Sequence, residues 1–293
     1  MELILQVLEI VAPVFLLVGL GYGWVRIGWH YDVQFVTRLA SELAIPCLIF
    51  VSLLRTTVDP VVLRDTAAAA VLSYAVLLGV FFVVLRARGL PMRVFLAPMA
   101  FGNTGNLGLP LALFAFGAAG LDVAVVVFAT MSALYFSIGV WVISGQGRPW
   151  VALREPMTWA TILGLLFLWQ DWGLPGFAVN SIDLIGQMGI PLMLMTLGVA
   201  ISRLHPGGFR RAFALAALKL AVCVAVGVTL GLAFALPAPA FGVLVLQLST
   251  PVAVTGYMLA EKYRADPEIV AGLVVVSSLM AVVALPVLLA VLI

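Results

Sequence analysis

Apolar runs of roughly twenty residues, about the length that spans the hydrocarbon core of a bilayer, follow one another from end to end of the chain. Ten segments can be marked off, at approximately 3–25, 34–54, 65–86, 94–116, 122–144, 156–170, 180–202, 210–235, 240–262 and 267–292. The sixth is the shortest, and its pattern allows an extension into Asp171-Trp172. Glycine, proline or charge marks the short connections, as in Arg26-Ile27-Gly28, Asp59-Pro60 and Gly145-Gln146-Gly147-Arg148-Pro149. Only 10% of the residues are charged, against about 25% in soluble domains. A water-exposed surface cannot be built from such a chain. It is predicted to be an all-α polytopic membrane protein with no soluble domain.

Trp24, Trp29, Trp150, Trp169 and Trp172 fall near segment ends, where an aromatic belt sits. Met1-Glu2-Leu3-Ile4 lacks the basic stretch and cleavage site of a signal peptide, so the first segment is expected to be retained. A net charge of +2 gives no argument for nucleic acid as a partner. Cys47 and Cys223 lie in apolar segments and read as small core hydrophobes. With His30 and His205 both in connections, no metal cluster is legible. There is no phosphate-binding loop and no embedded Ser-His pair. Neither a cofactor nor an enzymatic activity is expected.

The basic residues orient the chain. All of the 15 Lys and Arg except Arg55 and Arg64 lie in or beside the connections after segments one, three, five, seven and nine. Arg26, Arg88, Arg148, Arg154, Arg203, Arg211 and Lys262 are among them. The positive-inside rule puts that side in the cytoplasm. Ten crossings with both termini outside, in a bacterial inner (plasma) membrane, fit this split.

Segment four contains Gly102-Asn103-Thr104-Gly105-Asn106-Leu107-Gly108-Leu109-Pro110. Glycine costs a helix about 1 kcal/mol per position and proline about 3 relative to alanine. Asparagine also competes for backbone hydrogen bonds. Unwound backbone at membrane depth persists only where protein or a watery cavity satisfies it, so a broken helix lining a solute site is predicted. Segment nine carries the same logic in Gln247-Leu248-Ser249-Thr250-Pro251, since proline removes an amide donor.

A shift of about 145 residues brings these two stretches into register, and with them Ile45-Pro46 onto Ile190-Pro191 and Ser132 onto Ser277. Residues 1–145 and 146–293 then form two five-helix repeats. Five is odd, so the repeats face opposite ways across the membrane, an arrangement found in many secondary transporters. The half-helix amino ends would favour an anion. Asn103, Thr104, Gly105, Asn106, Pro110, Gln247, Ser249, Thr250 and Pro251 are the candidate substrate-binding residues. Lys219 and Glu42, charges inside apolar segments, are candidates for coupling or charge compensation. Their bland alternatives are snorkelling for Lys219 and an i,i+4 pair with Arg38 for Glu42. Ser132, Tyr135 and Ser277 are candidates for a minor lining role.

Ten segments in two halves, the core Asn103-Thr104-x-x-x-Gly108-x-Pro110-Leu111 and the Ser249-Thr250-Pro251 break resemble the auxin efflux carrier family over the whole chain. The long loop between helices five and six of its plant members is missing here. The resemblance implies a fold like bile-acid symporters and sodium–proton antiporters, with crossing helices four and nine. It also implies a scaffold and dimer interface from segments one, two, six and seven, with a moving transport domain from the rest. Carried over by position, Asn103 and Pro110 would line the substrate site, with Pro251 facing them. The expected function is secondary transport of a small organic anion, such as a carboxylate or an auxin-like acid, by an elevator movement in a homodimer. Coupling to sodium or protons is one alternative; a membrane receptor without transport is another.

Overall fold

The computed structural model describes residues 2–145, 156–203 and 209–293. Arg148, Trp150, Arg154 and His205 lie outside them, as does the chain just after the expected repeat boundary at residue 145. The described elements are helices α1 (Glu2–Arg26), α2 (Val33–Arg55), α3 (Pro60–Ala87), α4 (Met92–Ala100) and α5 (Thr104–Ser144). They continue with α6 (Pro156–Trp169), α7 (Gly176–Arg203), α8 (Phe209–Ala233), α9 (Ala238–Leu248), α10 (Val254–Lys262) and α11 (Pro267–Leu292).

Among the described residues seven helical runs, in α1, α2, α3, α5, α7, α8 and α11, are long and apolar enough to cross a membrane; α6 and α9 are shorter apolar helices. The chain is an integral membrane protein. At 1.5 Å per residue α5 would extend roughly 60 Å, about twice a hydrocarbon core. Gly117, at φ 68° and ψ −160°, interrupts it.

Local chemistry sets the ends. Asp32 accepts the Phe35 amide at 3.0 Å at the start of α2. Asp59 accepts the Val61 amide at 2.7 Å ahead of Pro60, which sits where a helix needs no donor. The extension of the sixth segment into Asp171-Trp172 does not form. Asp171 turns left-handed at φ 53°, and the Trp172 amide bonds back to the Phe167 carbonyl at 3.0 Å, which closes α6 at Trp169.

Helix packing falls into two groups. α1 runs along the second half of α7, while α2 packs against α6 and the first half of α7. In the other group α3 packs on α4, α5 and α8, α8 packs on α9 and α11, and α9 packs on α5 and α11. Close approach in the first group rests on small residues, the usual device between membrane helices. A Cβ at Gly198 would overlap the Val18 carbonyl, and one at Gly21 the Met195 carbonyl. Gly186 sits against the Leu48 backbone, 2.9 Å from where its Cβ would be.

Gly198→Ala should therefore force α1 off α7. Overpacking of this kind costs about 1–3 kcal/mol. The purified variant should melt several degrees below the parent, whereas Gly19→Ala, which meets open space, should melt with it.

Candidate functional site at two interrupted helices

α4 ends at Ala100 and α5 resumes at Thr104; α9 ends at Leu248 and α10 begins at Val254. The two gaps touch. Gly102 and Val252 pair as an isolated antiparallel bridge, and the Asn103 amide donates to the Pro251 carbonyl at 2.7 Å. Each break thus supplies the backbone partner that the other lost by unwinding. Only glycine fits at the contact, because a Cβ on Gly102 would overlap Thr250 Oγ1 and lie 3.0 Å from the Thr250 carbonyl. Gly108 likewise accommodates the Gln247 amide.

A cavity of ≈ 840 Å³ opens beside the breaks. Gly102, Asn103, Gly105 and Asn106 line it from the first break, and Ala253, Val254 and Thr255 from the second. Its remaining wall comes from Val33, Thr37, Ala40 and Ser41 of α2, Phe128, Met131, Ser132, Tyr135 and Phe136 of α5, and Met157, Met193, Thr196, Ala200 and Met258. These positions lie on the side of the breaks that leads to the connections after α1, α5, α7 and α10. That is the basic end, with Arg26, Arg38, Arg203 and Lys262. No charged side chain is among the described lining residues.

Two helix amino ends meet in this cavity. Neither the α5 start, capped by Asn103, nor the α10 start, capped by Ala253, has a side-chain cap. The first amides of a helix have no intrahelical partner and form its positive pole. Asn103 is buried, and its Nδ2 has no hydrogen-bond partner. The Tyr135 hydroxyl is also buried without a hydrogen bond of ordinary geometry. Its ring stands edge-on to Phe101 at 5.3 Å, and Phe101 stacks on Tyr74 at 5.5 Å, so the phenol is held rigidly.

All three π-helical stretches among the described residues border this cavity: Ala40–Ala44, Thr104–Gly108 and Tyr135–Gly139. Such wide turns are frequent at functional sites. At the basic end, Thr196 Oγ1 donates to the Leu192 carbonyl at 2.7 Å, so the Tyr31 hydroxyl at 2.9 Å is the donor to Thr196. Burial pushes the Tyr31 phenol above its ordinary range and keeps it protonated.

The remaining candidates lie elsewhere. Thr104 is fully buried with Oγ1 unpartnered, and Pro110 is buried in the turn behind the break. Gln247 donates to the Ala124 carbonyl at 3.4 Å. Ser249, Thr250, Pro251, Ser277 and Lys219 border a second, smaller cavity on the opposite side of the breaks. Lys219 is only 2% exposed, so it does not snorkel. Glu42 pairs with Arg38 at 3.1 Å, with its side chain 53% exposed and outside both cavities. Sequence reasoning did not single out Thr37, Ser41, Phe128, Met193, Thr196 or Thr255, because hydroxyls and methionines in apolar helices carry no distinguishing pattern.

A family model described as membrane transport protein matches the chain in two parts, residues 6–149 and 148–289. The chain is 27% identical over 294 residues to an uncharacterized transporter of Methanothermobacter thermautotrophicus, covering 95% of this chain and 96% of that one. An uncharacterized transporter of Methanocaldococcus jannaschii is 27% identical over 202 residues, covering 60% of this chain and 61% of its own length.

Gly102→Ala should separate the breaks and lower the melting temperature by several degrees. Gly105→Ala, whose Cβ meets only side-chain atoms of Phe128 and Met193 at 2.9 and 3.0 Å, should melt closer to the parent. Differential scanning fluorimetry on the two purified variants makes the comparison.

Proposed function

The chain belongs to the membrane transport protein family, that of the auxin efflux carriers, and is a transporter rather than an enzyme; on that premise we propose that it is a secondary carrier for a small organic anion. The observation that carries this reading is the convergence of two uncapped helix amino ends on a cavity without a charged side chain. Helix amino ends favour anions by partial charge and free N–H groups. A single carboxylate could accept from those amides, from Asn103 Nδ2, which has no partner, and from the Tyr135 hydroxyl, whose neighbour in the cavity is Thr255. The apolar wall of Phe128, Met131, Phe136 and Met193 suits a hydrocarbon or aromatic body. A second carboxylate would meet no cation there, so an auxin-like monocarboxylate fits better than a dicarboxylate.

Transport follows by alternating access in an elevator-like movement. α1, α2, α6 and α7 act as scaffold and, in a homodimer, as interface; α3–α5 and α8–α11 carry the substrate. The ten-crossing inverted repeat is retained by splitting α5 at Gly117 and joining each pair of half-helices across its break. With basic ends in the cytoplasm and both termini outside, the cavity opens inward. Lys219 supplies charge compensation behind the second break. The exposed Arg38–Glu42 pair leaves Glu42 without an evident part in coupling.

The test is uptake of radiolabelled indole-3-acetate and benzoate into proteoliposomes, alongside equilibrium binding. A hydrogen bond to a charged group contributes about 1.5–3 kcal/mol, so Asn103→Ala should weaken binding roughly ten- to hundredfold. Malonate should compete poorly. Unchanged binding in Asn103→Ala would remove the site assignment; malonate competing better than benzoate would remove the monocarboxylate.

A further inference from the structure

The second cavity, ≈ 270 Å³, lies between α8, the α9–α10 break and α11. Its polar atoms are unlike those of the first. Ser249 Oγ donates to the Val245 carbonyl at 2.6 Å, and Thr250 Oγ1 donates to the Gln247 carbonyl at 2.7 Å. Ser277 Oγ donates to the Val274 carbonyl at 3.2 Å and accepts the Val252 amide at 3.0 Å. Every hydroxyl proton bordering the cavity is thus already committed. Pro251 brings no amide proton at all. The cavity also lies at the carboxyl end of α9, where the last carbonyls lack intrahelical partners and form the negative pole. What the protein offers there is oxygen lone pairs.

Such a site disfavours an anion and suits a cation. No carboxylate lines it, and the rest of its wall is Ala216, Leu220, Met280 and alanines of α11. Lys219 reaches it from α8. It is the one basic residue counted as buried among the described residues, and its Nζ has a single hydrogen-bonding contact, Cys223 Sγ at 3.8 Å. A buried ammonium with no carboxylate partner is costly unless dipoles replace the missing counter-charge. The acceptor-rich end of α9 borders the same cavity.

We propose that the cavity behind the second break is a monovalent-cation site whose cation is the chain's own Lys219. The ammonium balances the negative pole of α9 while the positive poles of α5 and α10 hold the substrate on the other side of the breaks. A freely exchanging coupling ion would meet the like charge of the Lys219 ammonium there. Removing the side chain takes away the resident charge and leaves the site to sodium or a small alkylammonium. The inference deepens the carrier reading and rests on it for its meaning in transport, but its test needs no organic substrate.

The full-length protein, purified in detergent, is melted in choline, sodium and methylammonium chloride at equal ionic strength. The parent should melt at one temperature in all three. Lys219→Ala should melt several degrees lower in choline and recover in sodium or methylammonium, by about 3 °C when the cation is tenfold above its dissociation constant. Lys219→Gln fills the cavity with a neutral side chain, so it should melt low and respond to neither cation. A parent stabilised by sodium would overturn the proposal. So would a Lys219→Ala protein indifferent to both cations, or a Lys219→Gln protein as stable as the parent in choline. If Lys219→Ala does not fold in any of the salts, the melting temperature of Lys219→Gln decides. Failure of indole-3-acetate uptake with these melting shifts intact would count against the carrier's substrate and leave the cation site standing.

Discussion

Two stretches of unwound backbone hold each other up. Inside a bilayer, a peptide group without a partner costs several kcal/mol, and neither break could persist alone. The Asn103 amide to the Pro251 carbonyl and the Gly102–Val252 bridge supply the missing partners. The glycine at position 102 follows from that contact, because no side chain fits against Thr250. Once the breaks meet, four half-helix ends must point somewhere. Their directions sort the surroundings by sign: amino ends face the larger cavity, and the carboxyl end of α9 faces Lys219.

This sorting connects the site to the packing around it. The larger cavity is walled on one side by α2, α6 and α7 and on the other by α5 and α10, so it lies between the two groups of helices. A seam between groups is a place where relative movement can open or close access. The small-residue contacts of Gly21 and Gly198 hold α1 to α7 within one group. Lys219, by contrast, lies inside the other group, against the break and α11.

Much of this was legible in the residues, and what was not has physical causes. The breaks could be read because glycine, asparagine and proline oppose helix in an apolar run. The third helix starts at Pro60, five residues before the segment marked from residue 65, because Asp59 caps it there. Which face of a break a residue occupies was not readable. Gln247, Ser249 and Thr250 are as polar as Asn103 and Asn106, yet only the asparagines line the larger cavity. Phe128, Met131 and Met193 resemble any lipid-facing residue until the fold turns them inward. The extension at Asp171-Trp172 failed because a left-handed residue can close a helix without glycine, a rare event that pattern does not announce. Among the described residues seven long apolar runs stand where ten segments were counted, because α6 and the half-helices at the breaks are short and α5 joins parts of the fourth and fifth segments in one run.

Thiol labelling at Ser132 tests the central claim, that the cavity at the breaks holds an organic anion, most directly. Ser132 is buried and lines that cavity. Ser132→Cys, in a chain whose Cys47 and Cys223 are replaced by alanine, is exposed to a small maleimide while indole-3-acetate, benzoate or chloride is added. The two carboxylates should slow labelling severalfold, increasingly with their concentration, and chloride should not. Labelling at one rate in every condition would contradict it.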